Sequence, residues 1–318
     1  MKICPLCHQT YSDTRQHCPR DKSALKFITI TDGIFTSGYI IDDKYRLVEF
    51  LGSGAFSEVW KCEEVATGAT KSIKLLKFFS NDTDEIRDAV SRFFREADSA
   101  SRLGHENIVR VEYFGNDIHG QAFLVMEYLQ GNNLSQFIKP DGLSTAEITT
   151  VLPLLLEVTR GMEAAHKKGI LHRDLKPDNI FVTTHGGQTH AKILDFGVAK
   201  ILHDEKLAEI SKDYMFGTPS YMSPEQVKGM ELDGRTDIYS LGIIMFELFT
   251  GQLPFSGKTA QVLLQHIRNP PPNPPSLNEN IDRDLAAIIL KAMAKHLDHR
   301  YQTMAELEQD LTDYGASL

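Results

Sequence analysis

The chain has 318 residues, 42% hydrophobic and 24% charged, with a formal net charge of −9. That composition excludes a disordered or collagen-like chain. The length exceeds the ~250–300 residues at which one core stops growing, so two or more folding units are expected. An acidic balance without a long basic run argues against nucleic acid as a partner, and no apolar stretch reaches membrane-spanning length.

The N-terminus, MKICPLC, lacks the apolar core and small-residue cleavage site of a secretory signal, so a cytoplasmic protein is expected. Residues 1–25 are polar, and three of the four cysteines fall within the first 18 positions. In a reducing compartment that clustering suits a metal better than disulfides. A segment so short needs such a staple to order itself. Residues 26–43, with Gly33, Gly38 and turn-forming acids, read as a linker with one short strand. From Tyr45, YRLVEFLGSGAFSEVWKCEE and ATKSIKLLKFF have strand composition with glycine punctuation. DEIRDAVSRFFREADSASRL then has helical character, and IVRVEYFGND and AFLVMEYL return to strand. Beyond Asn132 helices dominate: TTVLPLLLEVTRGMEAAHKKG, RTDIYSLGIIMFELFTG, TAQVLLQHIRN, LAAIILKAMAK and TMAELEQDLTDY. NPPPNPP reads as a surface loop, because proline lacks an amide donor. The chain stops soon after its last predicted helix, so no membrane anchor is expected.

Four stretches carry chemistry. Gly52 and Gly54 in LGSGAFSEVW allow close backbone approach to phosphates, although two glycines in a hairpin are ordinarily just a turn, and the usual third glycine is Ser57. Lys74 alternates inward with Ser72. Taken alone it is an edge lysine, but paired with Glu96 on the following helix it would hold the α- and β-phosphates of a nucleotide. ILHRDLKPDNIFV places Asp174, Lys176 and Asn179 on one loop: an acid to accept a hydroxyl proton, a cation for a transferring phosphoryl group, and an amide for a metal. Asp195, at a strand end in AKILDFGVAK, adds a carboxylate for Mg²⁺, which favours one or two carboxylates plus substrate phosphates.

With GSGAFSEV, Lys74, Glu96, HENIV, LVMEYLQG, HRDLKPDN, DFG, GTPSYMSPEQ, DIYSLG and HRYQT in order, the chain from Tyr45 to about Tyr314 resembles a eukaryotic-type (Hanks-type) Ser/Thr protein kinase domain of bacterial style. The resemblance implies an α+β, two-lobed protein-kinase fold. Its strand-rich small lobe with one long helix would span 44–129 and its helical large lobe 130–314, with a zinc-ribbon-like element at 1–25. It implies ATP, Mg²⁺ (with Mn²⁺ as a substitute) and protein substrates bearing Ser or Thr, the chain itself included. Gly52, Ser53, Gly54 and Val59 would cover the nucleotide, Met126 would line the adenine pocket, and the Glu127 carbonyl and Leu129 amide would bond the adenine edge. Asn133 would meet the ribose. Asp174 would accept the proton, Lys176 would face the γ-phosphate, and Asn179 and Asp195 would hold Mg²⁺. Glu225 would pair with Arg300, and Asp237 would brace the catalytic loop. Lys176 and Thr218 fit a Ser/Thr acceptor, and GTPSYMSPEQ a peptide-docking platform. Asn133 stands where basic-directed members keep an acid, which puts arginine-directed specificity in doubt.

Arg173, before Asp174, implies control by an activation-segment phosphate. Bacterial relatives carry paired threonines there. This chain offers Ser211 and Tyr214 with Asp213 between them, so either Ser211 is phosphorylated or Asp213 supplies a standing charge. Thr218 and Ser220 are assigned to docking, with Thr218 a further regulatory position. Two other readings stay open: a pseudokinase scaffold and a small-molecule phosphotransferase.

Cys4, Cys7 and Cys18 form Cys-Pro-x-Cys and Cys-Pro-x-Asp turns, and the echo places Asp21 where a fourth thiolate would complete a tetrahedral Zn²⁺ site. His17 and His8 rank after Asp21, because each adjoins a cysteine and the turn would have to bend for both to bind. A degenerate, redox-sensitive ribbon is the alternative. A structural zinc ribbon that docks a partner is the expected role, and Cys62 reads as a core filler.

Overall fold

A strand survives in water when one face is buried against a second layer, and the apolar alternation from Tyr45 onward supplies such a face. In the computed structural model the described residues are 2–4, 10–11, 14–27, 35–54, 57–77, 90–91, 93–94, 97–117, 120–196 and 219–318. They divide into two units, Met1–Gly104 with Val109–Leu129, and His105–Ile108 with Gln130–Leu318.

The first unit begins with a small sheet. Strand β1 (Lys2–Ile3) lies between β2 (Thr10–Tyr11) and β3 (Lys26–Phe27), all antiparallel. Among the described residues Cys4, Cys18 and Leu25 form its buried hydrophobic cluster, with Tyr11 packed against them. Residues 26–43, read as a linker, are thus structured at both ends: Lys26–Phe27 complete this sheet, and the stretch from Phe35 joins the next.

That next sheet has six antiparallel strands: β4 (Ile40–Ile41), β5 (Tyr45–Ser53), β6 (Ser57–Glu64), β7 (Thr70–Leu76), β8 (Val111–Asn116) and β9 (Ala122–Glu127). Their order is β4-β5-β6-β7-β9-β8. Leu47, Cys62, Ile73, Leu75, Phe123 and Val125 share its core with Phe35. Burial pushes the Cys62 thiol up to about 12, as suits a core filler. The described residues between 90 and 101 are helical, and Phe93 and Phe94 are both 2% exposed.

The second unit carries β10 (Gly131–Asn133), β11 (Ile180–His185) and β12 (Gln188–Ile193) in one sheet. Its helices are α1 (Thr145–His166), α2 (Pro224–Val227), α3 (Arg235–Thr250), α4 (Thr259–Arg268), α5 (Arg283–Ala292) and α6 (Met304–Ser317). Ser144 and Glu147 form a capping box at the start of α1. Helix α3 is buried on nearly every side, and α5 packs on it. It ends at Gly251 (φ +77°), where a Cβ would lie 2.1 Å from the Lys139 carbonyl oxygen, so only glycine fits. The proline run is mostly exposed, but Pro274 is buried and opens a 3₁₀ turn to Ser276, so the run is more anchored than a plain surface loop. Among the described residues no helix is long and apolar enough to cross a membrane.

If the segment before β4 is a working part of the six-stranded core, Phe35→Ala should cost about 3 kcal/mol. The cost would appear as faster amide exchange in β4 and β5; unchanged exchange would remove Phe35 from the core.

Candidate active site

In the second unit the site starts from a buried carboxylate. Asp237, in the first turn of α3, is 0% exposed. Its Oδ2 accepts the His172 backbone N–H at 2.9 Å and its Oδ1 the Arg173 N–H at 2.8 Å. The His166 Nε2 lies 2.8 Å from Oδ2. Burial alone works to raise this carboxyl, yet the His166 ring and the His172 N–H hold it below its ordinary value. These bonds hold Arg173 in the left-handed region at φ +65°, a strained state that persists when its surroundings over-determine it. Gln226, at the start of α2, donates to the Arg173 carbonyl at 2.8 Å.

The groups expected to carry the chemistry follow within a few residues. Lys176 Nζ is 3.4 Å from Asp174 Oδ2. Asn179 Nδ2 donates to the Asp174 carbonyl at 2.8 Å, which orients the amide so that its oxygen is the atom left to ligate. The Leu194 N–H donates to the Asn179 carbonyl at 2.8 Å, and the His172 Nε2 lies 2.9 Å from the Leu194 carbonyl. The chain thereby brings Asp195 (φ +53°) beside the same loop. An amide oxygen and a carboxylate from adjoining segments are the hard oxygen donors that Mg²⁺ takes.

Below this loop, Arg300 and Glu225 pair in the interior. Arg300 Nη1 is 2.8 Å from Glu225 Oε1 and also donates to the Arg235 carbonyl, while Thr236 Oγ1 donates to the same carboxylate at 2.8 Å. Burial works against the charged Glu225, and Arg300 overcomes it, so its carboxyl lies below the usual value. The Pro219–Tyr221 turn is tied to α3 twice: Tyr221 Oη donates to Glu247 at 2.6 Å, and Ser240 Oγ to the Tyr221 carbonyl at 2.8 Å. Two of these supports escape a reading of the sequence. His166 carries no spacing signal, because its partner is 71 residues away, and Gln226 carries none either. Asn133 pairs with Phe181 at the edge of the three-stranded sheet.

In the first unit, Lys74 sits on β7 in register with Val59 on one side and Leu124 on the other. A solvated edge lysine is excluded, since β7 is an interior strand and Lys74 is 4% exposed. Ser72 shares its buried face, opposite Ile73 and Leu75 in the core. Gly52 pairs with Val59 and Ser53 with Glu58 in the β5–β6 hairpin, and the Gly54 N–H donates to the Ser57 carbonyl at 2.8 Å. A Cβ on Gly52 would meet nothing within 4 Å, so its backbone faces open space as a phosphate cover requires. Met126 and Glu127 end β9, where the Glu127 N–H donates to the Arg110 carbonyl at 3.0 Å and the Arg110 N–H to the Glu127 carboxylate at 2.8 Å, and Leu129 follows. Glu96, Cys7, His8, Ser211, Asp213, Tyr214 and Thr218 lie outside the described residues.

The N-terminal sheet brings Cys4, Cys18 and Asp21 together, with one potential ligand atom of each within 4.8 Å of the others. Bonds from the Ser23 hydroxyl and backbone N–H hold Asp21 far below the usual carboxylate range. His17 is exposed and contributes no nitrogen to the group.

A loop braced from a buried helix in one unit, and an antiparallel sheet with an interior lysine in the other, define the protein-kinase class of fold. The protein kinase domain family matches residues 45–311, and the chain belongs to it. It is 37% identical over 285 residues to a probable serine/threonine-protein kinase PknB of Corynebacterium glutamicum, covering 86% of this chain and 42% of that protein. It is 39% identical over 271 residues to the serine/threonine-protein kinase Pkn1 of Myxococcus xanthus, covering 84% and 38%. The crystal structure of the Mycobacterium tuberculosis PknI kinase domain superposes with a TM-score of 0.67 at 26% identity, covering 89% of this chain and all of that one. The chain thus spans about two fifths of the length of these two relatives.

Asp237→Asn should destabilise the second unit by about 3 kcal/mol at neutral pH, since it removes a charge acceptor from buried donors. The wild-type contribution is present above the ordinary value of 3.8 and is lost as pH falls through the lowered native value. The stability gap between the two proteins should therefore begin to close below about pH 4 and shrink further as the pH falls. A constant gap down to low pH would remove the carboxylate as the cause.

Proposed function

We propose that the chain is an ATP- and Mg²⁺-dependent protein serine/threonine kinase that transfers the γ-phosphate to protein hydroxyls, its own included. The observation that supports this most is the second unit's loop, where Asp174, Lys176 and Asn179 are locked to one another and to the segment bearing Asp195. In this reading Asp174 accepts the proton of a Ser or Thr hydroxyl as that oxygen bonds to phosphorus and the bond to the ADP oxygen breaks. Lys176 offers positive charge to the transferring group. Asn179 and Asp195 would hold Mg²⁺, or Mn²⁺ in its place, which neutralises the charge that develops on the phosphate oxygens. Gly52, Ser53, Gly54 and Val59 cover the nucleotide in the first unit, Lys74 with Glu96 orients its phosphates, and Glu127, Leu129 and Asn133 meet adenine and ribose.

The relatives' names favour Ser/Thr over Tyr as acceptor. The anchored Pro219–Tyr221 turn favours a peptide substrate over a free metabolite, since it is rigid enough to seat a chain. Arg173 would receive a phosphate from Ser211, or the standing charge of Asp213, with Thr218 a further regulatory position. The N-terminal element is read as a partner-docking ribbon stapled by Zn²⁺ through Cys4, Cys7, Cys18 and Asp21, and the protein as cytoplasmic.

Intact-mass measurement before and after Mg-ATP tests the catalytic reading. Wild type should gain phosphate, and Asp174→Asn should slow the gain by about 10²–10⁴-fold. Equal gain in both would trace the phosphate to another enzyme, and none in either would favour a scaffold.

A further inference from the structure

The Cys-Pro-Arg-Asp turn has a geometry that its sequence does not state. The Cys18 N–H donates to the Ser23 carbonyl, and the Lys22 N–H to the Cys18 carbonyl, both at 2.9 Å. Lys22 takes the left-handed conformation (φ +63°), which closes the turn. Asp21 is thereby carried back toward Cys18 and across to Cys4, on the first strand's end. Its two carboxylate oxygens are used differently. Oδ1 accepts the Ser23 N–H at 2.9 Å and the Ser23 hydroxyl at 2.5 Å, while Oδ2 accepts from Cys4 Sγ at 3.1 Å. The Cys4 sulfur also lies 3.0 Å from Ser23 Oγ, and Cys18 Sγ lies 3.3 Å from the Tyr11 hydroxyl.

We propose that Asp21 binds Zn²⁺ through Oδ2 alongside the thiolates of Cys4 and Cys18, and that Ser23 is the positioning residue that holds the carboxylate for it through Oδ1. This rests on the zinc-ribbon reading above and adds to it the ligating oxygen of Asp21 and an outer shell. Zn²⁺ bonds sulfur at about 2.3 Å and carboxylate oxygen at about 2.0–2.2 Å, so tetrahedral ligands lie roughly 3.5–3.8 Å apart. The observed group lies within 4.8 Å and needs only small adjustments, the Cys4–Asp21 pair at 3.1 Å opening slightly to admit the ion. Coordination expels the two thiol protons to solvent, including the one that Cys4 donates to Asp21, and the charge of Zn²⁺ replaces them. The buried thiols supply a soft, dry half of the site, and the exposed carboxylate closes it on the solvent side. Holding one ligand oxygen from behind is the usual task of an outer-shell group around a metal. His17 is left out because its ring is not among the converging atoms. Cys7, the thiolate that the sequence assigns to the remaining position, lies outside the described residues.

Full-length protein, stripped of metal under reducing conditions, would be titrated with Zn²⁺ against a competing chromophoric chelator and separately with Co²⁺. Wild type should take up one equivalent. Asp21→Ala should weaken binding by more than about 100-fold, Ser23→Ala by about 10–100-fold, and His17→Ala hardly at all. Asp21→Cys should retain tight binding and add one thiolate's share of sulfur-to-cobalt absorption, which separates a ligand position from a folding defect. In that cysteine background Ser23→Ala should lose most of its effect, because no carboxylate remains to position; a purely structural serine would keep its full cost there. One equivalent bound equally tightly by Asp21→Ala overturns the assignment and leaves the ribbon standing. No zinc bound by wild type overturns both.

Discussion

The buried carboxylate of Asp237 is the constraint on which the loop of residues 172–179 depends. An ionised group in the interior is tolerable only when its lone pairs are filled, and here two consecutive backbone N–H groups and the His166 ring fill them. The bonds run both ways. They keep the acid charged inside α3, and they hold His172 and Arg173 in a backbone shape that no local preference would select. Because Asp174 follows directly, the direction of its carboxylate is set by a helix more than sixty residues further along the chain.

Helix α3 can act as such an anchor because it is hydrophobic on nearly all sides. A helix of that kind must be enclosed by others, and α5 packs against it. Its first turn also presents Thr236, which shares Glu225 with Arg300. The charges in this interior are paired and further hydrogen-bonded, the condition under which buried ions are held rather than expelled. They contribute position more than net stability, which is why they cluster beside the loop that must keep its geometry.

The N-terminal element poses the opposite problem. Among its described residues the buried apolar ones are few, Cys4, Cys18 and Leu25 with Tyr11 alongside, far short of what offsets the entropy of ordering a chain. Its polar groups instead converge on one point. The six-stranded sheet next to it in sequence needs no such device, since Phe35, Leu47, Ile73, Leu75, Phe123 and Val125 give it a continuous core.

Much of this was legible in the residues. Strand alternation around Lys74 placed it inward with Ser72, and helical periodicity located α1 and α3 to α6, because periods of two and 3.6 residues are local properties. The order of HRDLKPDN, DFG and SPE carried the resemblance that implied the Glu225–Arg300 pair, which the structure contains. The Cys-Pro-x-Asp echo ranked Asp21 ahead of His17, and Asp21 is the one whose ligand atom lies with those of Cys4 and Cys18. Other features were beyond the reach of local pattern. His166, Gln226 and Ser23 carried no signal in the sequence, and Phe35 fell within the stretch read as a linker. Each is defined by a partner distant in the chain or by the direction in which a turn closes. A hydrogen bond is directional and short-ranged, so which groups meet is decided only when packing brings remote segments within about 3 Å. The sequence determined the elements and the chemical types at the site; the tertiary structure decided which side chains hold them in place.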